Sequence, residues 1–156
     1  MDNSLVLGGF LLFLAVWWIV LNLVSRMTGW SKLSAYYRAN DVFDGQTWRF
    51  QSVSMRMGGG YNNSVTVRAG PRGLHLSLFF LFRPGHPPLF ARWGEILVTQ
   101  KKRLGMKRVE LRFQRAADIP LIITARLAEK LARSAGAQWP GPERAGIWSS
   151  GSEGLH

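Results

Sequence analysis

The chain has 156 residues, no cysteine, and twenty Lys or Arg against nine Asp or Glu, for a formal charge of +11. Without thiols, disulfides, cysteine zinc sites and a cysteine nucleophile are excluded. The charge points to an anionic partner, such as lipid headgroups, nucleic acid or an acidic protein, and says nothing of the fold.

Residues 1–25 read as a transmembrane anchor. Leu5–Val24 is LVLGGFLLFLAVWWIVLNLV, with no charged residue. A helix of about 20 residues rises about 30 Å, the thickness of a bilayer's hydrocarbon core. Backbone groups in lipid must be satisfied internally, which favours a helix. The Met-Asp-Asn start lacks a signal peptide's basic region, and Leu23-Val24-Ser25-Arg26 is a poor cleavage site, so an uncleaved anchor is expected. Arg26, Lys32 and Arg38 follow the span and only Asp2 precedes it. The positive-inside rule then puts the N-terminus outside and the rest in the cytoplasm, at the inner (plasma) membrane.

Residues 26–45 form a juxtamembrane stretch. Ser31 is placed to cap a short helix to Arg38, with Trp30, Leu33 and Tyr37 on one face. Two roles are open: an interfacial helix, or a linker whose aromatics pack on the following domain. Ala39–Gly45 reads as a loop.

From Gln46 the period becomes two. Strands are expected at Thr47–Met57, Ser64–Ala69, Leu74–Phe82, Leu89–Arg92, Glu95–Lys102, a run around Val109–Phe113, and Ile119–Ile123. Glycine-rich turns at 58–63 and 70–73 separate the first three. The prolines around Leu89–Arg92 mark an edge strand. Leu104-Gly105-Met106 is a hairpin tip. Thr124 caps a helix over Ala125–Ala135, stopped by Gly136, with Leu127, Ala128, Leu131 and Ala135 on its apolar face. The tail 137–156 is Gly-, Ser- and Pro-rich and reads as disordered, with Trp139 and Trp148 able to dock.

This order of about seven short strands and a final amphipathic helix resembles the pleckstrin-homology-like superfold, including its bacterial PH-like and GRAM-like domains. Gly73-Leu74-His75-Leu76 and the run Pro88-Leu89-Phe90-Ala91-Arg92-Trp93-Gly94-Glu95-Ile96 are similar to the G-L-x-L … I-P-W-x-E-I run of those domains. The resemblance covers 46–136. It implies an α+β chain: an N-terminal transmembrane helix, then a bent antiparallel sheet forming a PH-like barrel capped by a C-terminal helix. Eukaryotic members bind phosphoinositides through a K-x(n)-[KR]-x-R pattern around the first hairpin. Here that loop is Gly-Gly-Gly-Tyr-Asn-Asn with only Arg56 and Arg68 nearby, so the pattern is absent.

Searching for chemistry yields little. His75, His86 and His156 share no metal-ligand spacing, so no metal and no cofactor is expected. The acids are sparse, with Glu110 on a wet strand face, so no catalytic residue is assigned. The glycine run lacks a following Lys-Ser/Thr and is no phosphate loop.

Two features stand out. Residues 46–136 hold sixteen Lys or Arg against Glu95, Glu110, Asp118 and Glu129. Five of the cations, Lys101, Lys102, Arg103, Lys107 and Arg108, gather at one hairpin tip. Near an anionic leaflet each contributes about 1 kcal/mol. The competing reading is a solvated edge. The second feature is Leu78–Phe82 followed by Arg83. Alternation puts Phe79 and Leu81 opposite Leu78, Phe80 and Phe82. Phe79, Leu81 and Arg83 then make an apolar contact patch, unless the strand is core on both faces.

The leading expectation is a non-catalytic, membrane-tethered interaction module whose basic face meets anionic lipid headgroups or an acidic membrane-associated protein. Nucleic-acid binding rests on charge alone, with no recognised motif. A membrane enzyme would need Glu95, His75 or His86 clustered in one pocket.

Overall fold

A computed structural model describes residues 2–39, 45–55 and 60–141. Along the chain come helix α1 (Asn3–Thr28), helix α2 (Trp30–Tyr37) and strands β1 (Gln46–Ser54), β2 (Gly60–Ala69), β3 (Gly73–Leu78), β4 (Leu89–Arg92), β5 (Ile96–Arg103), β6 (Met106–Phe113) and β7 (Ala116–Thr124). Helix α3 (Ala125–Ala135) follows, and short 3-10 turns occupy Phe80–Phe82, Trp93–Glu95 and Gly136–Gln138.

The class is α+β. The seven strands form one antiparallel sheet in the order β4-β3-β2-β1-β7-β6-β5, and it is not closed. Strand β1 pairs with β2 through two irregularities, but meets β7 at a single registered position, Ser54 with Ile122. Successive side chains alternate between faces. The inner face buries Val65, Val67 and Ala69 of β2, Leu74, Leu76 and Leu78 of β3, and their counterparts on β6 and β7.

Helix α3 covers that face, packing on β2, β6 and β7. Leu127, Ala128, Leu131, Ala132 and Ala135 are buried, while Arg126 and Arg133 face water. The Leu127 amide donates to Thr124 Oγ1 at 3.2 Å. Such a cap contributes about 1 kcal/mol. The cap, bounds and apolar face agree with the sequence reading.

Helix α2 decides between the two roles open for it. Trp30, Leu33 and Tyr37 are buried in the same core as the sheet, so its aromatics pack on the domain. Ser31 does not cap it: the N-cap is Gly29. That glycine has φ +93°, and a Cβ there would lie 2.7 Å from the Ile119 side chain. Only glycine lets the α1–α2 corner rest on β7. Past α2, an Arg38–Leu89 bridge and an Ala39 N–H bond to the Pro88 carbonyl (2.8 Å) cover part of the β4 edge. Residues 40–44, within the expected loop, and 56–59, at the end of the first expected strand and the start of the expected turn, lie outside the described residues.

Three expectations need correction. Leu74–Phe82 is not one strand, because β3 ends at Leu78 and the chain turns into a 3-10 segment. Asn62 and Asn63 belong to β2 rather than a turn, and Ser52 Oγ receives the Asn63 amide at 3.0 Å. The start of the tail is ordered: Trp139 is buried edge-on against Trp93 at 5.2 Å. Residues 142–156, with Trp148 and His156, lie outside the described residues.

Candidate functional site

Helix α1 has two parts. Asn3–Val16 is exposed all round. From Trp17 one stripe turns inward: Leu21, Ser25 and Thr28 are buried, and Trp17 and Val24 partly so. Spacings of three and four define one helical face.

The stripe meets the β3–β4 connection, residues 79–88. A segment that leaves the sheet must find partners for its carbonyls elsewhere. Here the N-terminal helices supply them. Trp17 Nε1 donates to the Leu81 carbonyl (3.2 Å), Ser25 Oγ to that of Gly85 (2.5 Å) and Trp30 Nε1 to that of Pro87 (2.9 Å). The Trp17 ring lies between Phe13 (6.1 Å) and Phe82 (5.9 Å). Gly85 has φ +74°, and a Cβ on it would lie 2.8 Å from Asn22 Oδ1, so the close approach requires glycine.

Below this contact lies a buried polar relay. Thr28 Oγ1 is 2.7 Å from the Tyr61 hydroxyl, which is 2.8 Å from His86 Nε2. His86 Nδ1 is 3.0 Å from the Pro84 carbonyl. A carbonyl only accepts, so Nδ1 carries the proton and Nε2 accepts from Tyr61, while the Thr28 hydroxyl also lies 2.9 Å from the Val24 carbonyl of its own helix. Burial pushes the His86 pKa down, against backbone hydrogen bonds that raise it, and keeps the ring neutral. Burial raises the Tyr61 hydroxyl, only partly offset by Thr28. Sequence reasoning missed this relay. Its one visible signal was Ser25 and Thr28 at the end of an otherwise apolar helix.

Of the residues expected to form an apolar patch, Phe79 and Leu81 reach the surface. Phe79, Phe80 and Leu81 are exposed, with Phe80 at 62 %. Phe82 turns inward to Trp17, and Arg83 Nε lies 3.4 Å from the Leu78 carbonyl. The alternation expected of a strand fails because a 3-10 turn has a different period. Phe80 therefore joins Phe79 and Leu81.

The five hairpin cations are divided. Lys101 pairs with Arg108 across β5–β6, Lys102 with Lys107, and Arg103 with Met106. The Lys101–Arg108 and Lys102–Lys107 pairs therefore face opposite sides of the sheet. Lys101 is also engaged: it and Arg112 form ion pairs with Glu110, whose side chain is 3 % exposed. Glu110 sits on the non-core face as expected, yet it is not wet, because the two cations cover it. Burial alone would push its carboxyl up, but hydrogen bonds from Lys101 and Arg112 outweigh that and hold it below the usual range.

The residues that an enzyme would need together have separate partners. Glu95 pairs with Arg115 at 3.6 Å, His86 with Tyr61, and His75 lies opposite Arg68 in the β2–β3 register. Among the described residues no three His, Asp or Glu are grouped to hold a metal ion. Compared with known proteins, the chain matches no family model, no curated protein and no solved structure.

Proposed function

We propose that the protein is a non-catalytic, membrane-anchored interaction module whose sheet domain is docked on its own transmembrane helix, with the Phe79–Leu81 turn in the bilayer boundary. The observation that carries this reading is the Trp17–Leu81 hydrogen bond. The fully exposed stretch Asn3–Val16 rises roughly 21 Å at 1.5 Å per residue, short of the roughly 30 Å of a hydrocarbon core. A span must therefore take in Trp17 and the residues after it. With Leu5–Val24 as the span, Trp17 lies roughly 10 Å to the membrane side of Val24. The turn bonded to Trp17 shares that depth, and its exposed side chains are those that lipid accepts: two phenylalanines and a leucine.

The cations that follow the apolar span Leu5–Val24, Arg26, Lys32 and Arg38, support a cytoplasmic domain at the inner membrane, with the N-terminus outside. A pleckstrin-homology-like reading of the domain is supported by the strand order and by α3 across the inner face. The Lys101–Arg108 hairpin is a second basic surface for anionic headgroups or an acidic protein, weakened on one side by Glu110.

The absence of cysteine makes the test clean. Full-length Phe80→Cys, carrying an environment-sensitive fluorophore, is reconstituted in vesicles containing doxyl-labelled lipid. Emission is expected to shift blue and to be quenched, while the same label at Arg126→Cys on α3 stays in water. Equal, water-like signals at both positions sink the proposal.

A further inference from the structure

We propose that a cleft on the outer face of β1–β3 binds the phosphate of an anionic membrane phospholipid, with Arg49, Arg68 and Arg83 as donors. The inference rests on the membrane placement of the Phe79–Leu81 turn, since Phe79 and Phe80 line both turn and cleft.

The cleft has a volume of about 260 Å³. Its position follows from the strand register. Thr66 of β2 lies opposite Ser77 of β3, and Arg68 opposite both His75 and Thr47. Short hydroxyl side chains on this face leave a hollow that larger residues would fill. The three arginines line it, and no carboxylate does. Glu95, Glu110 and Asp118 are already paired with Arg115, with Lys101 and Arg112, and with Lys32. Among the described residues the lining therefore offers charge-assisted donors and no anion to receive them.

Arg68 strengthens the case. Its Nε atom is buried and has no hydrogen-bond partner among the described residues. A buried donor left without an acceptor is costly, and folds seldom keep one that nothing satisfies. A phosphate oxygen in the cleft would satisfy it.

The mouth is apolar. Phe50 sits at an irregularity in β1 with φ +56°, a conformation that side-chain-bearing residues seldom adopt, and is 64 % exposed. Its ring joins Phe79 and Phe80 on the cleft wall. Guanidinium groups inside and aromatic rings at the lip suit a lipid, which offers a phosphate and a hydrocarbon chain side by side. An aqueous phosphate has no use for the rings.

Native mass spectrometry of the full-length protein, released from bilayers mixing phosphatidylglycerol with phosphatidylcholine, tests this. Wild type is expected to retain phosphatidylglycerol about tenfold over phosphatidylcholine, as a charge-assisted contact implies. R49Q and R83Q, both at exposed positions, are expected to lose that preference with unchanged thermal unfolding. K102Q, on the hairpin, is expected to keep it. R68Q is expected to lose it too, but R49Q and R83Q decide the matter if R68Q misfolds. Equal retention of both lipids by wild type, or an unchanged preference in R49Q and R83Q, overturns the proposal. So does stabilisation of the detergent-solubilised protein by inorganic phosphate equal to that by phosphatidylglycerol. A membrane-buried label at Phe80→Cys with no lipid preference would remove the cleft alone and leave the module reading standing.

Discussion

The two ends of the sheet order make an instructive contrast. At the β4 end, the apolar connection after β3 is drawn against α1 and α2, and its carbonyls receive donors from Trp17, Ser25 and Trp30. At the β5 end, the most conspicuous charge run in the chain stands on a simple hairpin, split between two faces by the pleat. Density of one residue type in sequence is thus a poor guide to a built site. A run of cations in a strand is divided every second residue. An apolar run that leaves the sheet is gathered by a turn, and can present three side chains together.

The contrast can be broken by substitution. Trp30→Ala should have the largest effect. Trp30 is fully buried, bonds to Pro87, and packs edge-on against Tyr61 at 5.5 Å. Removing it should cost about 3–5 kcal/mol, read by denaturant unfolding in detergent. Hydrogen exchange should show residues 79–88 losing protection before the β5–β6 ladder does. Uniform loss would mean that the two ends are one cooperative unit.

On the hairpin side, Glu110→Gln keeps the shape and removes the charge that Lys101 and Arg112 share. Both cations are about half exposed, so water screens much of the loss. A destabilisation of about 1–2 kcal/mol is expected, below that of an enclosed ion pair. Because the folded-state pKa of Glu110 is depressed, its contribution is present above the unfolded value of about 4.3 and is lost as pH falls through the folded one. The variant should therefore flatten the acid limb of the stability curve. A limb of unchanged slope would assign it to other groups.

The gentlest perturbation is pH near neutrality. His86 is held neutral by burial, with its pKa below 6.5, and His75 likewise by burial and then by the Arg68 charge. The unfolded chain takes up these protons first, so stability should be full above about pH 6.5 and fall as pH drops below it. His86→Gln should reduce that slope. If the slope survives, the relay at the α1 contact is not what senses the protons.

Much of the fold was legible because it rests on local pattern. Leu5–Val24, the Thr124 cap with the α3 face, and Leu89–Arg92 as an edge strand follow from hydropathy, capping chemistry and proline placement. Other features were illegible for identifiable reasons. Period two cannot say where a chain stops being a strand, so Leu78–Phe82 read as continuous when Phe79 begins a turn. Alternation put Glu110 on the correct face, but only the register with Thr99 and the reach of Lys101 and Arg112 show that it is covered. Trp139 docks because Trp93 waits for it, a pairing across 46 residues that no local signal announces.

The sequence by itself determined that this chain holds one helix long and apolar enough to cross a membrane, followed by a basic α+β domain, since length, hydropathy and period are local properties. Only the tertiary structure decided how the two are joined. Trp17, Ser25 and Thr28 look unremarkable in a run of apolar residues. Trp17 and Ser25 become a docking face because a segment some sixty residues later leaves the sheet with carbonyls to satisfy, and Thr28 joins it through the Tyr61 hydroxyl; only the folded chain brings these groups within reach.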